Sequence, residues 1–324
     1  MRSYHHFTRE ERERIRVGIE KGNTLRVIAA ELDRSPSSIS RELRRNCNKP
    51  DYCVRYSAYG AYSKYRCRRR NCHRPSQWGT NSEFEIYLYA KLKRYWSPEA
   101  IVGRYKKENP NEQAPSFQSI YYGIRHGLLP EDYMNYLRRK GRKRNAFRTA
   151  RNGKLPVEHV IQERPEVANR RERLGDWESD SFIGKKNGAC LATHVDRRAR
   201  YLVASKLHEH TALEYFNKTI EALGRYAKCK LHTMTVDRGM EFSCYKKLEK
   251  YFQEEGLTVY FADPNAPWQR GSNENTNGLL RQYIPKGMDI TSISAERIQA
   301  IVDELNNRPR KVLGWSTPAE IFLD

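Results

Sequence analysis

Between Phe7 and Asn46 the apolar positions recur three and four residues apart, in three short runs. Ile15 and Ile19 follow Thr8 and Glu11, a pair spaced as a capping box, and Gly22 stops the run. Thr24 can cap a second helix whose apolar face is Ile28, Ala29 and Leu32. Ser35-Pro36 opens a third, with Pro at the favoured first position and Ile39 and Leu43 facing inward. Three short helices with a tight turn between the last two predict a helix-turn-helix. A similar rhythm follows between Ser82 and Gly127: Ser97-Pro98 starts a helix through Ile101 and Tyr105 that ends at Asn109-Pro110, and Ser116 caps another through Ile120 and Ile124.

From about Leu174 the period shortens to two. DWESDSFIG, ACLATHVD and RYLVASKL alternate or run apolar between turn residues, as in an antiparallel meander. A helix over 211–227, the strand LHTMTV, the helix CYKKLEKYFQEE, the strand LTVYFAD and a last helix bearing Glu274 come next. That order is the one of a ribonuclease-H-like α/β domain. The chain therefore reads as multidomain, α then α/β. We expect a helix-turn-helix at 1–50, a basic Tyr/Arg-rich linker at 51–81, a second helical unit of similar style at 82–137, a basic linker at 138–173 and an α/β core at 174–324.

Composition separates these halves. The chain of 324 residues holds 60 Lys+Arg against 39 Asp+Glu. Residues 1–150 carry 33 basic and 15 acidic side chains, and residues 151–324 carry 27 and 24. A solvated surface does not require such a bias, whereas a polyanionic partner does. The outward face of the third helix presents Ser37, Ser38, Arg41, Arg44 and Arg45, with Arg34 just ahead of it, as a recognition helix would. In the second unit Gln118, Ser119, Tyr122 and Arg125 take the equivalent places, and Arg138, Arg139, Arg142 and Arg144 in RRKGRKRNAFR can track phosphates. No apolar run reaches the ~20 residues that cross a bilayer, so no membrane partner is expected. Seven cysteines, an odd number, suit a reducing cytoplasm. Cys53, Cys67, Cys72 and His73 lack the paired spacing of a structural zinc site.

Acidic residues carry the candidate chemistry. Asp237 follows an apolar run, and Glu274 lies in a segment able to start a helix. Mg²⁺ is bound by a few carboxylates together with phosphate oxygens of a substrate. A third acid can come from Asp176, Glu178 or Asp180, and strand alternation points all three to one face, so periodicity does not choose among them. Around these acids, Trp268, Gln269, Arg270, Asn273 and Asn277 are expected to position a DNA end.

The segments WESD (Trp177 to Asp180), TVDRGMEF (Thr235 to Phe242), DPNAPWQRGSNENTNGLLRQYIPKG (Asp263 to Gly287) and LNNRPRKVLGWSTPAEIF (Leu305 to Phe322) resemble those of the DDE transposases of bacterial insertion sequences. More narrowly, they resemble the family typified by insertion sequence thirty. The resemblance implies a retroviral-integrase-type catalytic core with Asp180, Asp237 and Glu274 as catalytic and metal-holding acids. It further implies Mg²⁺ or Mn²⁺ as cofactor, two ions, and binding of double-stranded DNA as terminal inverted repeats and target. Strand cleavage and strand transfer through a circular intermediate follow, in a nucleoid-associated cytoplasmic protein working as a homodimer or larger assembly. A phage- or retrovirus-like integrase, or a non-catalytic DNA-binding regulator, are the alternative readings.

Overall fold

The computed structural model describes residues 5–47, 56–72, 82–129, 131–138, 140, 158–185, 188–226, 230–264 and 266–324. They fall into two compact units, Met1–Gln77 and Trp78–Asp324.

The first unit contains α1 (Arg9–Glu20), α2 (Leu25–Glu31), α3 (Pro36–Asn46) and α4 (Ala58–Asn71). The capping box of α1 is complete: Glu11 N donates to Thr8 Oγ1 at 3.1 Å, and Thr8 N donates to Glu11 Oε2 at 2.7 Å. Thr24 and Ser35 cap α2 and α3, and Ile15, Ile28, Ile39 and Leu43 are buried together. Helix α4 lies where a linker was expected. Its aliphatic content is low, so no apolar stripe marks it. Instead Tyr56, Ala58 and Ala61 join the core, the small alanines letting α4 lie against α1. The same corner buries a charge pair, Arg12 to Glu42 at 2.8 Å, and the Tyr56 hydroxyl donates to Glu42 at 3.4 Å.

The second unit begins with α5 (Ser82–Lys93), α6 (Pro98–Glu108) and α7 (Phe117–Arg125). Ser97 and Ser116 cap α6 and α7 as the sequence predicts, and Phe84, Leu88, Ile101, Tyr105, Ile120 and Ile124 share a core. After the short α8 (Glu166–Arg170) come β1 (Asp176–Ile183), β2 (Cys190–Asp196) and β3 (Leu202–Leu207), then α9 (Ala212–Leu223), β4 (Thr233–Val236), α10 (Tyr245–Tyr251) and β5 (Thr258–Phe261). Helices α11 (Gly271–Leu280), α12 (Ala295–Asn306) and α13 (Pro318–Leu323) complete it.

The sheet order is β3-β2-β1-β4-β5, with β1–β2 and β2–β3 antiparallel and β1–β4 and β4–β5 parallel. This is the ribonuclease-H-like arrangement. Trp177, Ala192, Val203, Met234 and Val259 pack under α9 and α10 on one face. Phe182, Leu191, Val195 and Leu202 pack under α11 and α12 on the other. Gly175, at φ +91, turns the chain into β1 where any Cβ would strike the Lys230 backbone.

Residues 82–137 do not stand apart from the core. Arg104 grips Glu320 through two bonds of 2.9 and 2.7 Å, Arg94 pairs with Glu304 at 3.0 Å, and the Trp315 ring lies on Gly103 so closely that a Cβ there would enter it. Their helices and the sheet accordingly belong to one compact unit. Among the described residues no helix is long and apolar enough to cross a membrane.

Candidate active site

The three acids of β1 alternate onto the face covered by α11, and their surroundings then part them. Asp176 is fully buried, accepts from Thr233 Oγ1 at 2.8 Å and pairs with Arg173 at 3.0 Å. Glu178 is also fully buried. It accepts the main-chain N–H of Ser272 at 2.8 Å and of Asn273 at 2.9 Å, and it pairs with buried Arg197. Those two N–H groups are orphan donors at the start of α11, and the residue preceding that helix, Arg270, provides no side-chain cap. Glu178 supplies the missing cap from another strand. Asp180 alone of the three keeps an open edge, its side chain 27% exposed.

Asp237 sits one residue beyond β4, the parallel neighbour of β1, and its Oδ1 closes a turn onto Gly239 N at 2.8 Å. Arg270 lies between the two aspartates. One of its nitrogens is 2.8 Å from Asp237 Oδ2 and another 3.3 Å from Asp180 Oδ1, while the latter also donates to the Ser179 carbonyl at 3.2 Å. Burial pushes the Asp180 carboxyl above its usual range; Arg270 opposes this and the neighbouring Asp237 adds to it. Burial works against the Arg270 charge as well, but Asp180 and Asp237 outweigh it and raise its pKa.

Glu274 is exposed on α11. It stands four residues after Arg270 and three before Asn277, whose amide donates to Asp180 Oδ2 at 3.2 Å. Residues at these spacings share a helix face, so Glu274 occupies the face that meets Asp180. The structure thus links Asp180, Asp237, Arg270 and Asn277, and leaves Glu274 exposed on the neighbouring helix with no contact to either aspartate. Among the described residues no three His, Cys, Asp or Glu side chains are grouped closely enough to hold a metal ion. The aspartate pair nonetheless suits a hard divalent cation, which takes one or two carboxylates and fills its shell with water and substrate phosphate.

Several residues expected at DNA are engaged in the fold. Asn273 is fully buried and donates its amide to the carbonyls of Glu178 at 2.9 Å and Thr193 at 3.3 Å, so it ties α11 to β1 and β2 rather than reaching DNA. Gln269 folds back on its own loop, accepting from Asp263 N at 2.7 Å and donating to Asp263 Oδ2 at 2.9 Å. In the first unit Ser37, Arg41, Arg44 and Arg45 are exposed on α3, and Ser38 is half-buried. Arg41, Arg45, Arg68 and Arg69 line one cleft with Ser38, which adds α4 to the basic surface. Arg34 is held by Glu11 at 2.9 Å and stacks on Phe7, a bond within the fold. On α7, Gln118, Tyr122 and Arg125 are exposed and Ser119 bonds its cap, Ser116, at 3.0 Å. Arg138 donates to Asn275 at 3.0 Å, beside Glu274. Arg139, Arg142 and Arg144 lie outside the described residues, as do Cys53 and His73.

The roles of Glu178 and Arg197 escape a linear reading, although one signal exists. The segment Pro267–Gly271 has no Ser, Thr, Asp or Asn where α11 needs a cap, so a distant acceptor is required. Arg281 is a second case, lying 3.8 Å over the Phe182 ring and donating to the Ile183 carbonyl at 2.7 Å.

Residues 3–46 match the family model described as a helix-turn-helix domain. The chain is 34% identical over 332 residues to the transposase InsI of insertion sequence element IS30A of Escherichia coli (strain K12), covering 99% of this chain and 84% of that one. It is 36% identical over 324 residues to the transposase of IS4351 of Bacteroides fragilis, covering 98% and 95%. To the transposase of IS1086 of Cupriavidus metallidurans it is 34% identical, covering 98% and 94%. Among solved structures it is similar to the catalytic core domain of BIV integrase, with a TM-score of 0.35 and 18% identity over 45% of this chain and 92% of that one.

Proposed function

Since the chain belongs to the family of the transposases of IS30 and related insertion sequences, we propose that it moves its element with Asp180, Asp237 and Glu274 as the metal-holding acids. It is a DNA-binding, DDE-type transposase. In our reading α3 and α7 engage the terminal inverted repeats, and the α/β core cleaves a strand and joins its 3′-hydroxyl to a target phosphodiester by way of a circular element. Two ends must be held together, which calls for a dimer or larger assembly. The work is done in the bacterial cytoplasm.

The observation that carries this reading is the convergence of Asp180 and Asp237 from adjacent parallel strands to within one guanidinium's width. Glu274 lies on the face of α11 from which Asn277 reaches Asp180, and in our reading it supplies the third acid. Mg²⁺ or Mn²⁺, as two ions, would activate the attacking oxygen and stabilise the leaving one. The chain's own residues prepare that arrangement. Asn277 fixes the rotamer of Asp180 by donating to it. Glu178, Asn273 and Arg197 anchor the start of α11, and with it the height of Glu274 above the sheet.

The test is strand cleavage of duplex DNA bearing the element's own end, with Mg²⁺ or Mn²⁺. Asp237→Asn should bind this DNA as tightly as the unaltered chain and leave it uncut. Cleavage at the unaltered rate by that variant would remove Asp237 from the site.

A further inference from the structure

The guanidinium of Arg270 already fills the position between Asp180 and Asp237 that a cation would take. Its side chain is 16% exposed, so the contact is largely shielded from water and competes with any ion that approaches the same oxygens. Arg270 also ends the Pro267–Arg270 turn, directly before α11, where a rotation of the side chain requires no movement of the helix. Two residues earlier on that turn Trp268 stands 74% exposed, which marks the adjoining surface as open.

We propose that Arg270 is an internal counter-cation which the metal must displace, and that a DNA phosphate is what receives it. A guanidinium matches phosphate oxygens as well as it matches carboxylates, through parallel charge-assisted bonds. Entry of the metal and docking of the DNA backbone are then two halves of one exchange. Each favours the other, since coupling between two ligands is reciprocal. Without DNA, the arginine neutralises the acid pair and holds the ion off, so the chain is not armed by metal alone. This inference rests on Asp180 and Asp237 being metal-holding acids, and it gives Arg270 a positioning role toward them.

The full chain can be titrated with Mn²⁺ alone, following the free aquo-ion by electron paramagnetic resonance. Arg270→Gln should bind Mn²⁺ about tenfold more tightly than the unaltered chain, within the usual range for coupled sites. Arg270→Lys retains a charge and should stay close to the unaltered chain. Adding duplex DNA of the element's end should tighten Mn²⁺ binding by the unaltered chain and close most of the gap to Arg270→Gln. Equal or weaker Mn²⁺ binding by a folded Arg270→Gln overturns the proposal, as does Arg270→Lys binding as tightly as the glutamine variant. Asp237→Asn separates this failure from that of the site itself. If it loses Mn²⁺ while Arg270→Gln is unchanged, only the role of Arg270 falls; if it keeps Mn²⁺, the metal site falls and this inference with it.

Discussion

Glu178→Gln tests how α11 is held. The carboxylate is fully buried and serves two main-chain donors of α11 together with Arg197, whose side chain is 4% exposed. Glutamine keeps the shape and one carbonyl oxygen for the α11 donors, but it removes the charge that Arg197 faces. Leaving one member of a buried ion pair unmatched costs roughly 3–5 kcal/mol, and the retained acceptor places this variant near about 3 kcal/mol. Domains have only ~5–15 kcal/mol in total, so the loss is large without abolishing folding. All five tryptophans lie between Trp78 and Trp315, so their fluorescence follows the second unit alone. With a slope of roughly 2–3 kcal/mol per molar urea, the midpoint should drop by about 1 M. DNA cleavage should fall further than DNA binding, because the height of Glu274 is set by that cap. Adding Arg197→Met should restore at least ~1 kcal/mol relative to additivity, as neighbours in one network do. A Glu178→Gln midpoint indistinguishable from that of the unaltered chain would refute the reasoning.

Arg41→Ala should lower the slope of log affinity against log salt by about one on the element's end, measured by fluorescence anisotropy; an unchanged slope excludes a phosphate contact. Asp196 is fully buried between the Gly175 and Ala199 N–H groups, and burial pushes its carboxyl up to about 6. Its folded value exceeds the unfolded one of about 4, so the stability it contributes is full below about pH 4 and is lost as pH rises through about 6. The difference in stability between the unaltered chain and Asp196→Asn should therefore shrink by roughly 3 kcal/mol from pH 4 to 7, and a flat difference contradicts the assignment. Gly103→Ala would push a methyl group into the Trp315 ring and should destabilise the second unit by about 1–3 kcal/mol in urea; a neutral result would show that the ring can step aside.

Where local chemistry decides an element, the sequence announces it. Thr8 with Glu11, Ser35-Pro36, Ser97-Pro98 and Ser116 mark helix starts that the fold uses, and alternation marks the three strands of the meander. Helix α4 stays hidden because it is buried through two alanines, a tyrosine ring and a charge pair rather than an apolar stripe. The site divides in the same way. Strand alternation puts Asp176, Glu178 and Asp180 on one face, but which of them meets solvent depends on what α11 brings from almost a hundred residues away. Asn273 looks like a DNA contact by its place beside Glu274, and only the packing of β2 beneath α11 reveals that its amide is consumed within the fold. Arg270 was legible as a basic residue near the acids, though its bridge between them needs the strand order to be known.

The grip of Arg104 on Glu320 joins residues 216 apart in sequence. On a ribosome adding ~5–20 residues per second, that interval is about 10–40 s. For most of it the residues of α5–α7 have been synthesised while the surface that receives Trp315 and Glu320 has no counterpart. The helical bundle thus acquires its fixed bearing on the catalytic sheet only after every acid of the site has emerged. Assembly order is written into this contact: a nascent chain carries the α5–α7 helices first, and their alignment with the sheet comes last.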